Sequence, residues 1–208
     1  MPFAIILITG AYLLGSIPFA LLVGQGIYHV DVRDSGSGNI GATNVLRVLG
    51  KKAGTLVFIG DMAKGFAPVL LAKLLVEADS AALVSVLVAA AAIAGHTWPV
   101  FLKFRGGKGV ATGGGAILAL MPVLFLLAFA TFWLVLLGGR IVSVASLTAC
   151  VALSLAVLLT RQPLPYIVFT FLASAVIFYA HRANIGRLAR GEENRVAFPW
   201  NRKTSQGT

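Results

Sequence analysis

Long apolar blocks are the feature that most constrains how this chain can fold. Leu, Val, Ala, Ile and Phe dominate six blocks, at residues 3–23, 53–76, 81–95, 110–137, 141–160 and 163–180. A helix needs about 20 apolar residues to cross the hydrocarbon core of a bilayer, and several blocks reach that length. Backbone groups inside lipid must be paired within their own segment, so we expect helices rather than strands. The sequence therefore predicts an all-α, polytopic membrane protein.

Composition also indicates a membrane protein, and its first apolar block is expected to stay in the membrane. Of the 208 residues, 58% are hydrophobic and only 12% are charged, whereas a soluble domain has about 25% charged residues. The first block lacks a basic leading region and a small-residue cleavage site, which indicates a retained helix rather than a signal peptide. The single cysteine, Cys150, excludes an internal disulfide and a cysteine metal site.

The charge pattern predicts which side of the membrane each link faces. The net charge is +10, and most basic residues fall in three segments, at residues 29–52, 103–108 and 182–203. The link at residues 77–80 is instead acidic. The positive-inside rule places the three basic segments in the cytoplasm and the 77–80 link outside. This orientation, with attraction to anionic lipids or substrates, explains the charge better than nucleic-acid binding does.

The same pattern constrains the number of helices. The N-terminus is predicted outside and the C-terminus in the cytoplasm, so an even number of crossings separates residue 110 from residue 181. Block 110–137 is long for one span and short for two, and it contains Gly113-Gly114-Gly115 and Met121-Pro122, which can break a helix. Two short spans in that block give seven transmembrane helices, with Arg161 as an exception to the charge rule.

Two charged residues lie inside the second apolar block. Asp61 and Lys64 are three positions apart, so they share one face of a helix. Charges near lipid usually face a partner or a cavity. Two interpretations stay open, a structural ion pair near the cytoplasmic end and a role beside a functional site.

The first polar motif spans residues 35–47 and reads SGSGNIGATNVLR. Its glycines alternate with hydroxyl and amide residues, so backbone N–H groups can approach an anion closely. The helix predicted to follow adds donors at its N-terminus, and Arg47 can give a charge-assisted bond to phosphate. A flexible turn between helices is the alternative interpretation of this motif.

The second polar motif spans residues 95–112 and reads GHTWPVFLKFRGGKGVAT. Glycines surround Lys108, which combines a permissive backbone with an ammonium point charge. Trp98, Phe101 and Phe104 suit an interfacial aromatic belt. A role for Phe101 or Phe104 in an acyl groove is the alternative.

The third polar motif spans residues 181–195 and reads HRANIGRLARGEENR. His181 and Asn184 share a helix face, either towards a substrate or in a structural contact. Glu192 and Glu193 are interpreted as caps or as partners of the arginines.

Three motifs at one membrane face, rich in cations and N–H donors, suit a ligand that carries one or two phosphates. The scattered histidines and acids lack metal-site spacing, and no G-x-S-x-G nucleophile motif is present. His29 and Asp34 match an H-x4-D pattern of soluble-type glycerolipid acyltransferases, which is a weak signal. A phosphate or sugar-phosphate transporter is the alternative function, although the motifs lie at helix ends and no clear repeat is visible.

In order and spacing, the three motifs resemble the signature segments of the bacterial acyl-phosphate:glycerol-3-phosphate acyltransferases, the PlsY family. The resemblance implies a seven-helix enzyme of the bacterial inner membrane with its active site on the cytoplasmic face. Such an enzyme moves a fatty acyl group from acyl phosphate to the sn-1 hydroxyl of glycerol 3-phosphate, and the products are lysophosphatidic acid and phosphate. No cofactor, metal ion or nucleic acid is expected, membrane lipid is an expected partner, and the oligomeric state stays open. We expect residues 1–195 to form a single transmembrane catalytic domain and residues 196–208 a cytoplasmic tail.

The resemblance also implies roles for individual residues. The expected catalytic residues are Ser37, Arg47, Lys108, His181 and Asn184. The expected substrate-binding residues are Gly38, Asn39, Gly41, Thr43, Asn44, Gly106, Gly107 and Gly109. The donor's own phosphate is favoured as acceptor of the hydroxyl proton, and His181 is the rival base.

Overall fold

A computed structural model describes residues 2–196, and these residues form helices and loops without a strand. The ten α-helices are α1 (Pro2–Gly15), α2 (Phe19–Tyr28), α3 (Ala42–Leu49), α4 (Lys51–Leu75), α5 (Ala78–Thr97), α6 (Val110–Leu120), α7 (Pro122–Gly139), α8 (Val142–Leu159), α9 (Leu164–Ala180) and α10 (Arg182–Ala189). The predicted all-α class is confirmed for this part of the chain. The expected tail lies, from residue 197 onward, outside the described residues.

By length and composition, four helices within residues 2–196 can cross a membrane: α4, α5, α7 and α8. Two bent pairs raise the number to six if each pair is one span. The α1–α2 pair bends by 42° and the α9–α10 pair by 58°. Helix α6 is also apolar but has only 11 residues, which corresponds to about 16 Å, or half of the hydrocarbon core.

The apolar block at 110–137 is divided where a proline predicts a break. Helix α6 ends at Leu120, and α7 begins at Pro122. The run Gly113–Gly115, by contrast, stays helical. A Cβ added to Gly115 would overlap the carbonyl oxygen of Met62 on α4. Small residues let neighbouring backbones touch, so Gly115 packs α6 against α4 within a glycine run that stays helical.

Buried small side chains hold the helices together, and large ones face outward. The main core lies between α1, α4, α5, α6, α8 and α9 and includes Ala11, Val69, Ala92 and Ala116. Leu74, Leu134 and Leu159 are at least 72% exposed. An apolar exterior around a tightly packed interior is expected of a helix bundle in lipid.

A second, smaller core fixes the segment that carries the first polar motif. Val32 and Val45 are fully buried against Ala53 and Val57 of α4. This core holds α3 and the preceding loop on the bundle, at the end where the second and third polar motifs also lie.

Candidate active site

A polar pocket of about 400 Å³ lies where the three motifs meet. Its lining residues are Ser37 and Asn39 from the first motif, Thr97, Trp98 and Phe104–Lys108 from the second, and Tyr179, Ala180, Arg182, Ala183, Asn184 and Arg187 from the end of α9 and the third. Segments far apart in sequence therefore converge on one cavity that has four cationic side chains in its wall.

Asn44 shapes the first motif from below. Its Oδ1 accepts a hydrogen bond of 2.8 Å from the backbone N–H of Ser37, and its Nδ2 donates to the carbonyl oxygens of Val32 (2.9 Å) and Ser35 (3.1 Å). Asn44 is only 2% exposed. Its amide thus folds the loop so that Ser37 faces the pocket.

The rest of the first motif divides between the pocket and its surroundings. Asn39 lines the pocket, and its Oδ1 accepts a 3.0 Å hydrogen bond from the N–H of Gly41, the residue before α3. Gly38 has φ of +68°, a conformation that favours glycine. Thr43 faces an apolar groove, and Arg47 is exposed on α3.

The second motif makes a turn that only small residues permit. The N–H groups of Gly106 and Gly107 donate to the carbonyl oxygens of Thr97 (3.1 Å) and His96 (3.0 Å). A Cβ on either glycine would overlap atoms of His96. Gly109, with φ of +79°, then starts α6. The turn leaves Lys108 half-buried in the pocket wall.

Lys108 is the most perturbed cation of the pocket. Burial lowers the pKa of Lys108 to about 8; Glu193 opposes this shift, and the positive charges of Arg187 and Arg47 add to it. Arg47 therefore lies within electrostatic range of Lys108, although it is not part of the pocket wall. Lys108 is mainly protonated at neutral pH and can bind an anion.

His181 lies at the bend between α9 and α10 and is buried. Its Nδ1 is 2.8 Å from the carbonyl oxygen of Ile177. A carbonyl can only accept, so in the neutral imidazole Nδ1 carries the proton and Nε2 has the lone pair. The ring itself is not among the residues of the pocket wall, whereas Asn184, one turn further on, is.

Glu193 ties the third motif together. Its carboxylate accepts hydrogen bonds from Ser143 Oγ (2.9 Å), Asn184 Nδ2 (2.6 Å) and Arg187 Nε (2.7 Å). Burial opposes ionisation of Glu193, but these hydrogen bonds outweigh it and hold its pKa below the usual value. The predicted pairing of the glutamates with arginines is confirmed, since Glu192 also binds Arg190.

Several residues of the site carried no usable signal in the sequence. Ser143 lies in an apolar block, and its hydrogen bond to Glu193 forms only because the chain after α10 packs against the start of α8. Arg105 and Arg182 line the pocket, although Arg105 is also explained by the positive-inside rule. The H-x4-D residues His29 and Asp34 are exposed and lie outside the pocket wall. Within residues 2–196, no group of three His, Cys, Asp or Glu side chains is placed to hold a metal ion.

An apolar groove of about 420 Å³ borders the polar pocket. Helices α3–α9 line it, and its aromatic side chains include Phe58, Phe125, Phe129, Phe132 and Trp133. The pocket continues into the groove within a few residues at three places: from Asn39 to Ala42 in the first motif, from Lys108 to Val110 in the second, and from Ala180 back to Ile177 on α9. Phe101 belongs to neither cavity and Phe104 to the polar one, so other aromatics form the groove.

Comparison with known proteins identifies the family of this chain. The profile of the family described as glycerol-3-phosphate acyltransferase matches residues 5–191. The chain belongs to the glycerol-3-phosphate acyltransferase family. A relative of that name from Rubrobacter xylanophilus is 48% identical over 191 residues, which are 92% of this chain and 94% of the relative. Another from Desulforamulus reducens is 46% identical over 192 residues, again 92% and 94% of the two chains.

Solved structures of the family have the same fold. Two crystal structures of PlsY, an integral membrane glycerol 3-phosphate acyltransferase, cover 94% of this chain and 96% of their own. The glycerol 3-phosphate form gives a TM-score of 0.88 at 41% identity, and the lysophosphatidic acid form gives 0.86 at 40%. The predicted membership of the PlsY family is thereby confirmed.

Proposed function

We propose that this protein transfers a fatty acyl group from acyl phosphate to the sn-1 hydroxyl of glycerol 3-phosphate, releasing lysophosphatidic acid and phosphate. One observation carries the proposal: a pocket walled by cations adjoins an apolar groove, and the first two motifs and the end of α9 contribute to both. Such a pair of cavities fits reactants with anionic heads and one apolar tail.

The polar pocket is the proposed site for glycerol 3-phosphate. Lys108 and Arg187 supply charge-assisted donors for its phosphate. The Nδ2 of Asn184 is held by Glu193, which leaves its Oδ1 and second N–H for the glycerol hydroxyls. Ser37, Gly106 and Gly107 lie in the same wall and complete this site. Asn44 and Gly109 act from behind by setting the loop conformations.

The apolar groove is the proposed site for the acyl chain. The groove continues past Val142 and Ser146 to Leu153 along α8, which at 1.5 Å per residue corresponds to about 16 Å. This depth equals about half of the hydrocarbon core, the length of a lipid acyl chain. The phosphate of the donor then lies at the polar end of the groove, beside Thr43 and within reach of Arg47.

The reaction needs alignment more than a strong catalytic group. The sn-1 oxygen attacks the acyl carbonyl carbon, an ester C–O bond forms, and the bond from that carbon to the phosphate oxygen breaks. Fixing two anions side by side lowers the entropic barrier, and cations offset their repulsion and the charge that develops on the leaving phosphate. The donor's phosphate is the proposed acceptor of the hydroxyl proton. This choice is supported by the burial of His181 outside the pocket wall.

The proposed topology has seven spans: α1 with α2, then α4, α5, α6, α7, α8 and α9. Its N-terminus is outside, and the active site faces the cytoplasm from the bacterial inner membrane. Residues 1–195 form one catalytic domain in this proposal. Convergence of the three basic motifs on one pocket supports it. In a Cys150→Ser background, Ser37→Cys and Arg105→Cys are expected to react from the cytoplasm and Asp79→Cys from outside; any other pattern refutes the topology.

The donor is tested by one assay with three arms. Purified protein receives glycerol 3-phosphate with palmitoyl phosphate, palmitoyl-CoA or palmitoyl acyl carrier protein. We expect lysophosphatidic acid and phosphate only from the acyl phosphate. Turnover with either thioester alone would refute the donor assignment. The transporter alternative, which the family membership does not favour, predicts counterflow of labelled phosphate in liposomes and no acyl transfer.

A further inference from the structure

A buried cluster of charged and polar side chains lies behind the active site. Lys64 Nζ is 2.8 Å from Asp61 Oδ1 on α4, and Nδ1 of His96 on α5 is 3.5 Å from the same oxygen. All three side chains are at most 5% exposed, and none lines the polar pocket or the apolar groove. Burying charges is costly, so a cluster at this depth needs a reason.

One side of the cluster contacts the turn that presents Lys108. A Cβ added to Gly107 would overlap Nε2 of His96, so the imidazole lies directly against this glycine. The N–H of Gly107 also donates to the carbonyl oxygen of His96. The residue after Gly107 is Lys108, and the path of its backbone into the pocket starts from this contact.

The other side of the cluster is anchored at the break between α1 and α2. Lys64 Nζ donates a 2.9 Å hydrogen bond to the carbonyl oxygen of Ile17. Helix α1 also binds the second motif directly, since the hydroxyl of Tyr12 donates to the carbonyl oxygen of Trp98 at 2.9 Å. The cluster thus connects the break between α1 and α2 to the Gly107 end of the Trp98–Gly107 loop, and Tyr12 separately holds the Trp98 end.

We propose that Asp61, Lys64 and His96 are positioning residues for Lys108. Lys64 fixes the carboxylate of Asp61 beside Nδ1 of His96. The imidazole in turn fixes Gly107, which sets the position of the ammonium group that binds glycerol 3-phosphate. Groups behind a binding residue often matter as much as the residue itself, because small displacements weaken an aligned site strongly. The inference rests on the proposed role of Lys108.

A second lysine of α4 provides a matched control. Lys73 Nζ donates a 2.8 Å hydrogen bond to the carbonyl oxygen of Ala119, at the opposite end of α6 from Lys108. Like Lys64, it joins α4 to a backbone carbonyl and lies outside the pocket wall, but its partner is far from the Trp98–Gly107 loop. Lys73→Met is expected to lower the melting temperature while leaving the KM for glycerol 3-phosphate unchanged.

The test is a double-mutant cycle with His96→Ala and Gly107→Ala. The KM for glycerol 3-phosphate and kcat are measured at saturating palmitoyl phosphate, with thermal unfolding in parallel. Each single variant is expected to raise the KM about tenfold. The double variant is expected to rise by much less than the product, because the new Cβ occupies space that the ring has vacated. Effects that multiply independently would overturn the proposal.

Two near-isosteric variants repeat the test if His96→Ala does not fold. His96→Gln keeps an amide where Nε2 contacts Gly107, whereas His96→Asn keeps only the position of Nδ1 near Asp61. The KM is expected to stay closer to wild type in His96→Gln; equal KM values for both variants contradict positioning through Gly107. Lys108→Ala distinguishes a failure of the proposed substrate site from a failure of the positioning role. A normal KM in Lys108→Ala refutes the underlying site, while an increased KM together with independent cycle effects refutes only this inference.

Discussion

The side-chain amide of Asn184 donates to Glu193 Oε1 over 2.6 Å, and this contact orients the third motif towards the pocket. The same carboxylate holds Arg187 and Ser143, so one anion fixes three donors from two parts of the chain. Because the pKa of Glu193 is lowered in the fold, its stabilising contribution is present above the usual glutamate pKa. That contribution is lost as the pH falls through the lowered value.

We therefore expect Glu193→Gln to reduce kcat/KM at least tenfold and to lower the melting temperature. The neutral amide cannot accept from three donors as the carboxylate does, and it leaves Arg187 without its buried partner. Steady-state kinetics and thermal unfolding measure the two effects. Glu192→Gln is the control because its pair with Arg190 is exposed; an equal loss in both variants would contradict the role of Glu193.

Lys108→Ala is expected to lower kcat/KM for glycerol 3-phosphate about 100-fold or more, since it removes a charge-assisted donor from a partly dry pocket. Lys103→Ala removes an equal charge from an exposed residue five positions earlier that is not part of the pocket wall. Only a small effect is expected there. If both variants lose activity equally, the general positive charge of the loop, and not the position of Lys108, is what matters.

The pH dependence of substrate binding provides an independent test of Lys108. The ammonium form binds the anion, and the pKa of Lys108 is lowered to about 8. The KM for glycerol 3-phosphate is therefore expected to rise as the pH increases through about 8. In Lys108→Arg the guanidinium stays protonated, so this rise is expected to disappear even if the absolute KM is worse. A rise that persists in Lys108→Arg would assign the titration to another group.

Asn44→Asp probes the loop that presents Ser37. The carboxylate keeps an acceptor for the Ser37 N–H but faces the carbonyl oxygens of Val32 and Ser35 instead of donating to them. Two lost hydrogen bonds and a buried charge are expected to cost about 2–5 kcal/mol of stability and most of the activity. Asn194→Asp, at an exposed position, is the matched control, and a similar loss there would show that charge alone is responsible.

Ala149→Phe tests the apolar groove. Ala149 lines the groove on α8, whereas Ala152, almost one turn further on, does not. A phenyl ring at position 149 is expected to raise the KM for palmitoyl phosphate about tenfold and to affect short-chain donors and glycerol 3-phosphate much less. Ala152→Phe is expected to leave all three values near wild type. If Ala149→Phe has no chain-length dependence, the acyl chain does not lie in this groove.

The helices were predictable where local physics decides them. Apolar length gave the segments that became α4, α5, α8 and α9, and Pro122 marked the division of the 110–137 block, since proline interrupts the hydrogen bonding of a helix. The glycine run at 113–115 was ambiguous, because whether it stays helical depends on tertiary packing such as the contact of Gly115 with Met62 of α4. Such a contact exists only once the helices have packed.

The candidate site was predictable as a set of motifs but not as a set of contacts. Glycine-bracketed Lys108 and Asn184 line the pocket, as their motifs suggested. Asn44 was expected to bind substrate, but its side-chain amide forms hydrogen bonds with the backbone of the loop instead. Glu193 and His96 contact side chains or turns from other segments of the chain. A local sequence pattern does not show which helices pack together, so these contacts could not be predicted.

The rim of the apolar groove has a consequence for how a product leaves. Phe58, Phe129 and Trp133 are each about 40% exposed on the outer surface of the bundle. A tail held between them has a sideways exit into the bilayer, and it avoids water, where each methylene would cost about 0.8 kcal/mol. Release is then a lateral diffusion step, so turnover at saturating substrate should slow as the surrounding lipid becomes more ordered.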